Sequence, residues 1–390
     1  MMDIEQADLY FPGSYQASRE RLLASARAWS KTIPVTIDSR AIPARGPSGE
    51  SLALDWVQIG PRHGGRQAKK VLVLSSGTHG IEGFCGAGVQ HAMLEHYLRG
   101  GMSLQVEGAR PIPAISDWPD DFALVICHAI NPYGFSWLRR VNENNVDLNR
   151  NSLKPFDTSK VHPNYEALFD LLNPSDLEPE TEGLRWQAIE DFILKHGERA
   201  FQQAVAEGQY KYPRGVQFGG HETQTSIKHL HALSEAYLSR AEQVLWVDYH
   251  TGLGELGACE LITGFAKSDP AYSYGQEVWG AAVKSTESGD SLSTKLNGLI
   301  DQGLRPMFGA STRFFFVSAE YGTYPIMRML RAMRADNWLH HYANNAHPLW
   351  PSVKAEVLES FRPNQSIWRQ RVLNEAEQHL GRAFQALFDH

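Results

Sequence analysis

The amino-acid sequence predicts an α/β protein with a mixed, mostly parallel central sheet and helices on both faces. Short, continuous apolar runs occur at residues 71–76, 122–127, 244–247 and 314–317, which is typical of strands that are buried on both sides. An alternating apolar and polar pattern at residues 52–59 predicts a half-buried strand. Helical patterns separate these segments, and strands that alternate with helices usually form parallel or mixed sheets.

The N-terminal part of the chain is expected to enter this sheet through one helix and a linker. The helical pattern covers about residues 15–32, and a Pro- and Gly-rich segment at 42–47 predicts a linker. After the run at 71–76, a glycine-punctuated loop leads into a second predicted helix at about 86–98.

The pattern changes in the middle of the chain. Residues 152–243 are mostly helical and polar, with several proline breaks, and we interpret them as a helical insertion packed beside the sheet. Residues 325–390 are expected to form C-terminal helices. No internal repeat is visible, so residues 1–390 are predicted to form a single domain that contains the insertion.

The composition excludes several classes of protein. Apolar residues make up 42% and charged residues 21% of the 390 residues, which is typical of a globular chain and excludes a mainly disordered one. The 37 basic and 44 acidic residues give a net charge of −7, and no Lys/Arg run is present. Such a surface repels phosphate backbones, so no nucleic-acid partner is expected.

Other features bear on the cellular location. The three cysteines, Cys85, Cys127 and Cys259, are an odd number and far apart, which argues against a disulfide framework. The N-terminus lacks the basic and apolar regions of a signal peptide, and no stretch approaches the roughly 18 apolar residues needed to span a bilayer. We therefore expect a cytoplasmic protein without a membrane partner.

The loop after the strand at 71–76 contains the first candidate metal ligands. His79 and Glu82 are three residues apart, and an imidazole nitrogen and a carboxylate oxygen are both zinc ligands. Ligands bind at the carboxyl ends of strands in open α/β sheets, which favours this position. By spacing alone the signal is weak, because sixteen histidines yield roughly one such pair by chance.

A remote histidine is the candidate for a third ligand. His250 follows the apolar run at 244–247 and precedes a glycine. Two ligands close together and one remote are typical of a catalytic zinc, which keeps its fourth position open. The alternative is a histidine of the hydrophobic core.

Two further segments carry charged side chains near the same sheet edge. Arg139, Arg140 and Arg150 follow the strand at 122–127, and arginine forks bind carboxylates in a bidentate way, although solvated surface arginines are the alternative. Glu320 lies just after the last apolar run, where a lone glutamate is usually exposed.

Taken together, these segments resemble the zinc carboxypeptidase superfamily of the carboxypeptidase A type. The amino-acid sequences of the loops around His79 and His250 resemble more narrowly an uncharacterised bacterial branch of this superfamily, of the DUF2817 type. The resemblance covers about residues 50 to 325. The motifs that carry it are His79-x-x-Glu82, Asn131-Pro132-Tyr133-Gly134, Val146-Asp147-Leu148-Asn149-Arg150-Asn151, Asp248-Tyr249-His250-Thr251-Gly252 and Glu320.

The resemblance implies a metal centre with a proton shuttle. His79, Glu82 and His250 match the ligands of one zinc ion, and Glu320 matches the general base that transfers a proton from water to the leaving amine. Asp147 matches the acid that orients a zinc-binding histidine, a role with its own physical reason.

The resemblance also implies the residues that hold the substrate. Arg140 matches the arginine that polarises the scissile carbonyl, with the neighbouring Arg139 as a rival. Asn149 and Arg150 match the pair that binds the terminal carboxylate. Arg305 lies fifteen residues before Glu320, where a residue of the side-chain pocket is expected; the alternative is a surface or ion-paired arginine.

The sequence therefore predicts a zinc-dependent hydrolase that cleaves an amide bond next to a free carboxylate, in a small peptide or an acylated amino acid. The alternatives are an N-acyl amino acid deacylase or an esterase on the same site, and an inactive zinc-holding binding protein. A serine hydrolase is disfavoured because the chain contains no Gly-x-Ser-x-Gly motif. The insertion at 152–243 is expected to roof the cleft and restrict substrates.

Overall fold

The structure is a computed structural model that describes residues 2–61, 67–100 and 110–389. Its centre is an eight-stranded sheet, with helices on both faces. The strands are β1 (Val35–Arg45), β2 (Ser51–Ile59), β3 (Lys70–Ser76), β4 (Phe122–His128), β5 (Gln243–Gly252), β6 (Cys259–Thr263), β7 (Val283–Ser285) and β8 (Arg313–Gly322).

The helices surround the sheet and also form a separate group in the middle of the chain. They are α1 (Ile4–Asp8), α2 (Tyr15–Trp29), α3 (Gly83–Glu95), α4 (Pro132–Ser136), α5 (Pro163–Ala167), α6 (Phe169–Leu172), α7 (Pro179–His196), α8 (Glu198–Ala206), α9 (Thr225–Leu238), α10 (Pro270–Trp279), α11 (Ile300–Leu304), α12 (Ile326–Tyr342), α13 (Trp350–Phe361) and α14 (Ser366–Phe388). Among the described helices, none is both long and apolar enough to cross a bilayer.

The strand order places the carboxyl ends of three strands side by side. The order is β1-β2-β4-β3-β5-β8-β6-β7, and β4, β3, β5 and β8 run parallel to one another. The pairs β1–β2, β2–β4 and β6–β8 are antiparallel. This confirms the predicted mixed, mostly parallel sheet.

The apolar runs form the central strands because both faces of the sheet are covered. Gly86 of α3 lies against Tyr249 on one face, and its missing side chain allows that close approach. On the other face Tyr237 of α9 stacks on Trp56, with ring centroids 5.8 Å apart, and Trp56 contacts Trp246. Trp246 and Tyr249 are three residues apart on β5, so they point to opposite faces.

The predicted linker at 42–47 is wrong. Most of it belongs to β1, which pairs with β2 from Val35 opposite Ile59 to Arg45 opposite Ser51. Proline is tolerated on an edge strand, and β1, which contains Pro43, is at the edge of the sheet. The short strands β6 and β7 were not predicted, because five and three residues leave too little pattern.

The segment predicted as an insertion contains α5 to α9. Two of its helices begin at a proline, Pro163 and Pro179, where the missing N–H would have no partner within the helix. The C-terminal segment contains α12, α13 and α14. Side chains from α8 reach the cleft at the carboxyl edge of the sheet, which is described next.

Candidate active site

The candidate residues lie at the carboxyl ends of β3, β5 and β8. His79 follows β3, His250 is near the end of β5, and Glu320 is directly opposite His250 on β8. Glu82 ends a short 3-10 helix that leads into α3. The turn into this helix is tight, since a side chain at Gly80 would collide with the backbone of α4 at Gly134. The sheet therefore brings together residues that are far apart in the sequence.

Two histidines and one glutamate form a buried group that fits a metal ion. The Nδ1 atom of His79 lies 2.9 Å from Glu82 Oε1, and the Nδ1 atom of His250 lies 3.1 Å from Glu82 Oε2 and 3.2 Å from His79 Nδ1. All candidate ligand atoms lie within 4.8 Å of one another, and within the described ranges no other group of this kind is found. Two imidazole nitrogens and a carboxylate oxygen suit zinc.

Each histidine turns its other ring nitrogen to an aspartate. His79 Nε2 lies 3.2 Å from Asp147 Oδ1, and His250 Nε2 lies 2.7 Å from Asp248 Oδ2. Such carboxylates orient metal-binding histidines, and at His250 the aspartate favours the tautomer whose Nδ1 is free for the metal. At His79 the Nε2 atom also lies 2.8 Å from Arg140 Nη2. Asp147 was predicted in this orienting role, whereas Asp248 was missed, although its position two residues before His250 on the same face of β5 was visible in the sequence.

Asp248 is itself held in place. Its carboxylate accepts hydrogen bonds from the hydroxyls of Ser75 at 2.6 Å and Thr78 at 2.7 Å. Burial raises the pKa of Asp248, but the His250 imidazole and these hydroxyls outweigh burial and hold the pKa below its ordinary value. The aspartate is therefore an anion that orients His250.

The two neighbouring arginines point to different places. Arg140 lines the cleft, where its Nε donates to Asp147 at 3.1 Å and its Nη1 donates to Glu82 at 2.9 Å. Arg139 turns away and pairs with the buried Asp336 at 2.9 Å, which also binds Lys354 at 2.6 Å. Of the two rivals, the structure thus brings Arg140 to the metal group.

Alanine substitutions are expected to distinguish the roles of Arg140 and Arg139 in turnover and in stability. Arg140→Ala should lower kcat by about 10²–10³-fold, the usual cost of losing one donor to a developing negative charge. Arg139→Ala should instead lower the free energy of unfolding by about 2–3 kcal/mol, since Asp336 loses a charged hydrogen bond but keeps Lys354. Turnover and chemical denaturation of the metal-loaded variants measure both effects. A large loss of kcat in Arg139→Ala with unchanged stability would reverse the assignment.

Arg150 is a buried cation without a carboxylate partner among the described residues. Its Nε and Nη2 donate to the carbonyl of Ala206, at 3.1 and 2.8 Å, and its Nη1 donates to the carbonyl of Asn149 at 2.8 Å. Only 2% of Arg150 is exposed, and it lines the cleft. Burial lowers the pKa of its guanidinium. A buried, unpaired charge is costly, so an anionic ligand in the cleft would be strongly favoured.

Asn149 and Glu320 complete the predicted set. The side-chain oxygen of Asn149 accepts the N–H of Ile300 at 3.1 Å, which turns its amide group along the cleft wall. Glu320 accepts the N–H of Leu253 at 2.9 Å. Burial and the neighbouring Glu82 carboxylate raise the pKa of Glu320 to about 7. A carboxyl group with such a pKa is suited to take up and release a proton.

The walls of the cleft are mainly apolar. The predicted insertion supplies one wall of the cleft. The apolar side chains that line it include Phe201, Val205, Ile262, Leu296, Leu299, Phe316, Met329 and Leu330.

Two polar residues of the cleft were missed by sequence reasoning. Gln217, from the predicted insertion, has a φ of 59°, and its buried Oε1 has no hydrogen-bond partner among the described residues. Such a backbone conformation costs roughly 1–3 kcal/mol and is concentrated at functional sites. Asp301 is the second, on α11. Neither belongs to a motif, so only the fold reveals them.

Arg305 does not line the side-chain pocket and fits the alternative interpretation, an ion-paired surface arginine. Arg305 pairs with Asp269, with an Nη2–Oδ1 distance of 3.0 Å, and lies over the ring of Phe265, 4.9 Å from its centroid. It is about half exposed and does not line the cleft. The sequence distance from Glu320 does not identify the pocket residue, because the connection between α11 and β8 determines which side chain faces the cleft.

The fold and the buried ligand group define an α/β protein with a candidate metal centre at the carboxyl edge of its central strands. Over residues 11–375, the sequence matches the family described as "Protein of unknown function (DUF2817)", and the chain belongs to this family. The resemblance to this branch is thereby confirmed. No curated protein matches the sequence.

Several solved structures are similar to this chain at low identity. For carboxypeptidase A from Helicoverpa armigera the TM-score is 0.44 and the identity 13%, over 90% of this chain and 74% of that chain. For a metallo-carboxypeptidase from Pseudomonas aeruginosa the TM-score is 0.37 and the identity 11%, over 92% of this chain and 68% of that chain. For murein-tripeptide amidase MpaA from Escherichia coli O157 the TM-score is 0.35 and the identity 14%, over 81% of this chain and 97% of that chain.

Proposed function

We propose that this protein is a zinc-dependent hydrolase that cleaves an amide bond next to a free carboxylate, in a small peptide or an acylated amino acid. One observation carries the proposal. A buried metal-binding group, a carboxyl group with a pKa of about 7 and a buried guanidinium without a carboxylate partner among the described residues all line one cleft. Separately each has a structural explanation, but together they form the parts of a hydrolytic site that binds an anion.

His79, Glu82 and His250 would hold one zinc ion. Zinc, when bound, supplies a Lewis acid for a carbonyl and lowers the pKa of water to about 7. Asp147 and Asp248 would orient the two imidazoles toward the metal, and Asp248 favours the tautomer of His250 that leaves Nδ1 free. The chain's own residues perform the remaining steps.

Glu320 would move the proton. Its carboxylate would take a proton from the attacking water and later pass it to the leaving amine, a role for which a pKa near the working pH is best suited. The hydrogen bond from the Leu253 N–H fixes the orientation of one oxygen and leaves the other available.

Arg140, Arg150 and Asn149 would position the substrate. The guanidinium of Arg140 lies beside the metal ligands, so it can donate to a carbonyl oxygen as negative charge develops there. The guanidinium of Arg150 and the amide of Asn149 would donate to the two oxygens of the terminal carboxylate. Holding that carboxylate fixes the position of the neighbouring amide bond.

The apolar walls favour a second candidate on the same site, a deacylase of N-acyl amino acids. Apolar side chains such as Phe201 and Leu296 provide a surface for an acyl chain. An esterase would use the same groups, and the protein could also hold zinc without catalysis. A zinc-loaded screen of dipeptides with varied C-terminal residues, N-acyl amino acids and matched esters distinguishes these candidates. Absence of turnover on every carboxylate-bearing amide would overturn the proposal.

The purified protein is expected to hold about one zinc ion. The His250→Ala variant should lose this ion with little change in fold, because a catalytic metal site adds little to folding. Elemental analysis and circular dichroism measure the two quantities. His229→Ala is the matched control, because His229 is half-buried, does not line the cleft and hydrogen-bonds through Nε2 to the Ala41 carbonyl. Full zinc occupancy in His250→Ala would show that the third ligand is wrong.

A further inference from the structure

The cleft contains a buried carboxylate that the proposed reaction does not use. Three acidic residues are among the described residues that line the cleft, and two of them, Glu82 and Glu320, belong to the metal group and the proton transfer. The third is Asp301 on α11, which is 3% exposed. Its Oδ1 accepts the N–H of Gln302 at 2.9 Å.

Among the described residues, no side chain forms an ion pair or a hydrogen bond with Asp301, and only the backbone N–H groups of Asp301 and Gln302 donate to its carboxylate. Arg305 is the nearby cation, but its guanidinium is paired with Asp269. A side chain at Gly264 would lie 3.0 Å from Asp301 Oδ2, so the glycine keeps the space in front of this oxygen open. A buried, unpaired carboxylate that faces an open cleft is suited to a cationic ligand group.

The position of Asp301 relates it to the carboxylate-binding pair. Ile300, the preceding residue, donates its N–H to Asn149 Oδ1 at 3.1 Å. A side chain at Gly298 would collide with the carbonyl of Arg150, so this segment lies directly against Arg150. A substrate whose carboxylate is held by Asn149 and Arg150 therefore presents the side chain of the same residue to the wall that carries Asp301.

We propose that Asp301 selects substrates whose carboxylate-bearing residue also carries a cationic side chain, such as the primary ammonium group of a lysine-like chain. This inference rests on the proposed function for the position of the substrate. Apolar neighbours of Asp301, such as Leu299, suit the methylene groups between the two charges. Arg150 and Asp301 would thus bind an anionic and a cationic group of the same substrate residue.

The test compares side chains that differ only in the terminal group. Nα-acyl derivatives of lysine, ornithine and arginine are assayed against the same Nα-acyl derivative of 2-aminoheptanoic acid, in which a methyl group replaces the ammonium group of lysine. We expect kcat/KM to be at least about tenfold higher for one of the cationic substrates, the scale of a charge-assisted hydrogen bond. Asp301→Asn should abolish this preference, so that kcat/KM becomes equal for the cationic and the apolar substrates.

Glu260→Gln is the matched control for charge. Glu260 is an acidic residue that does not line the cleft, and its carboxylate accepts a hydrogen bond from the Ser291 hydroxyl at 2.7 Å. This variant should keep the preference. Equal kcat/KM for the cationic and apolar substrates in the unaltered protein would overturn the inference, while turnover of both would leave the proposed hydrolase intact.

A binding measurement separates the inference from the reaction. Calorimetry compares Nα-acetyl-lysine with Nα-acetyl-2-aminoheptanoic acid in the zinc-loaded protein and in Asp301→Asn. Selective binding of the lysine derivative that is lost in the variant supports the role of Asp301 even when no amide is hydrolysed, in which case only the proposed function fails. Equal binding of the two ligands contradicts the inference.

A stability measurement excludes a purely structural role. Burial raises the pKa of Asp301 from 3.8 to about 6, so the folded state loses stability as the pH rises from about 4 through 6. Asp301→Asn should therefore raise Tm by a few degrees at pH 8 and leave it unchanged at pH 4. If the carboxylate instead supports α11, the variant will have a lower Tm at both pH values, which contradicts the proposal.

Discussion

Replacing Glu320 with glutamine is expected to lower kcat by about 10²–10⁴-fold while zinc and fold are retained, since an amide cannot take up a proton from water. The substitution preserves shape, and the remaining oxygen of glutamine can still accept the N–H of Leu253. Glu320 is also absent from the group of candidate metal ligands, so metal content should not change. The loss should appear in kcat rather than in KM, because the proton moves only during the reaction.

The control for Glu320→Gln is Glu260→Gln. Glu260 is opposite Glu320 on the neighbouring strand β6, and it binds the hydroxyl of Ser291 at 2.7 Å rather than lining the cleft. The Glu260→Gln variant should keep full turnover and zinc content. Turnover close to normal in Glu320→Gln on a true substrate would remove Glu320 from the mechanism.

The central sheet was predictable because its strands are buried on both faces. Residues 71–76, 122–127, 244–247 and 314–317 all lie in central strands, where burial on both faces favours a mostly apolar sequence. The edge of the sheet was not predictable in this way. The partly exposed strand β1 contains Pro43 and was taken for a linker.

The candidate metal group was predictable for a related reason. His79 and His250 directly follow or end apolar strands, and parallel strands that pair in one sheet bring such residues together at the carboxyl edge. The choice between Arg139 and Arg140 could not be made from spacing alone, since adjacent residues fit a loop equally well. It depends on Asp336 of α12, almost two hundred residues away.

The side-chain pocket was the least predictable part of the site. Arg305 was selected by its distance from Glu320 along the chain, but α11 turns Asp301 into the cleft and leaves Arg305 outside. Gln217 enters the cleft from the predicted insertion through a left-handed backbone conformation, for which a glutamine gives no signal. Such positions depend on tertiary packing, which short sequence patterns do not contain.

The last expected result concerns the group that every substrate must share. Converting the substrate's carboxylate to an amide should cost about 2–4 kcal/mol of transition-state stabilisation, the scale for leaving a buried charge without its partner. Arg150 is the cation in question, since only backbone carbonyls and no described carboxylate occupy its guanidinium. Because binding this group positions the carbonyl for attack, the change should lower kcat as well as raise KM.

Arg150→Ala should impose the same penalty on the free acid. Arg150 also holds the carbonyl of Ala206 at the end of α8, so the variant is checked by thermal unfolding. Arg199→Ala is the matched control, because Arg199 likewise donates to backbone carbonyls, those of residues 291–293, but does not line the cleft. Its kcat/KM should equal that of the unaltered protein.

The decisive comparison combines the two changes in a double-mutant cycle. Arg150→Ala acting on the amidated substrate should lose much less than the sum of the separate losses, because both changes remove one interaction. Additive losses would mean that Arg150 supports the cleft wall without contacting the carboxylate. If the amidated substrate is turned over as fast as the acid, the enzyme does not require a terminal carboxylate, and an internal amide or an ester becomes the better substrate class.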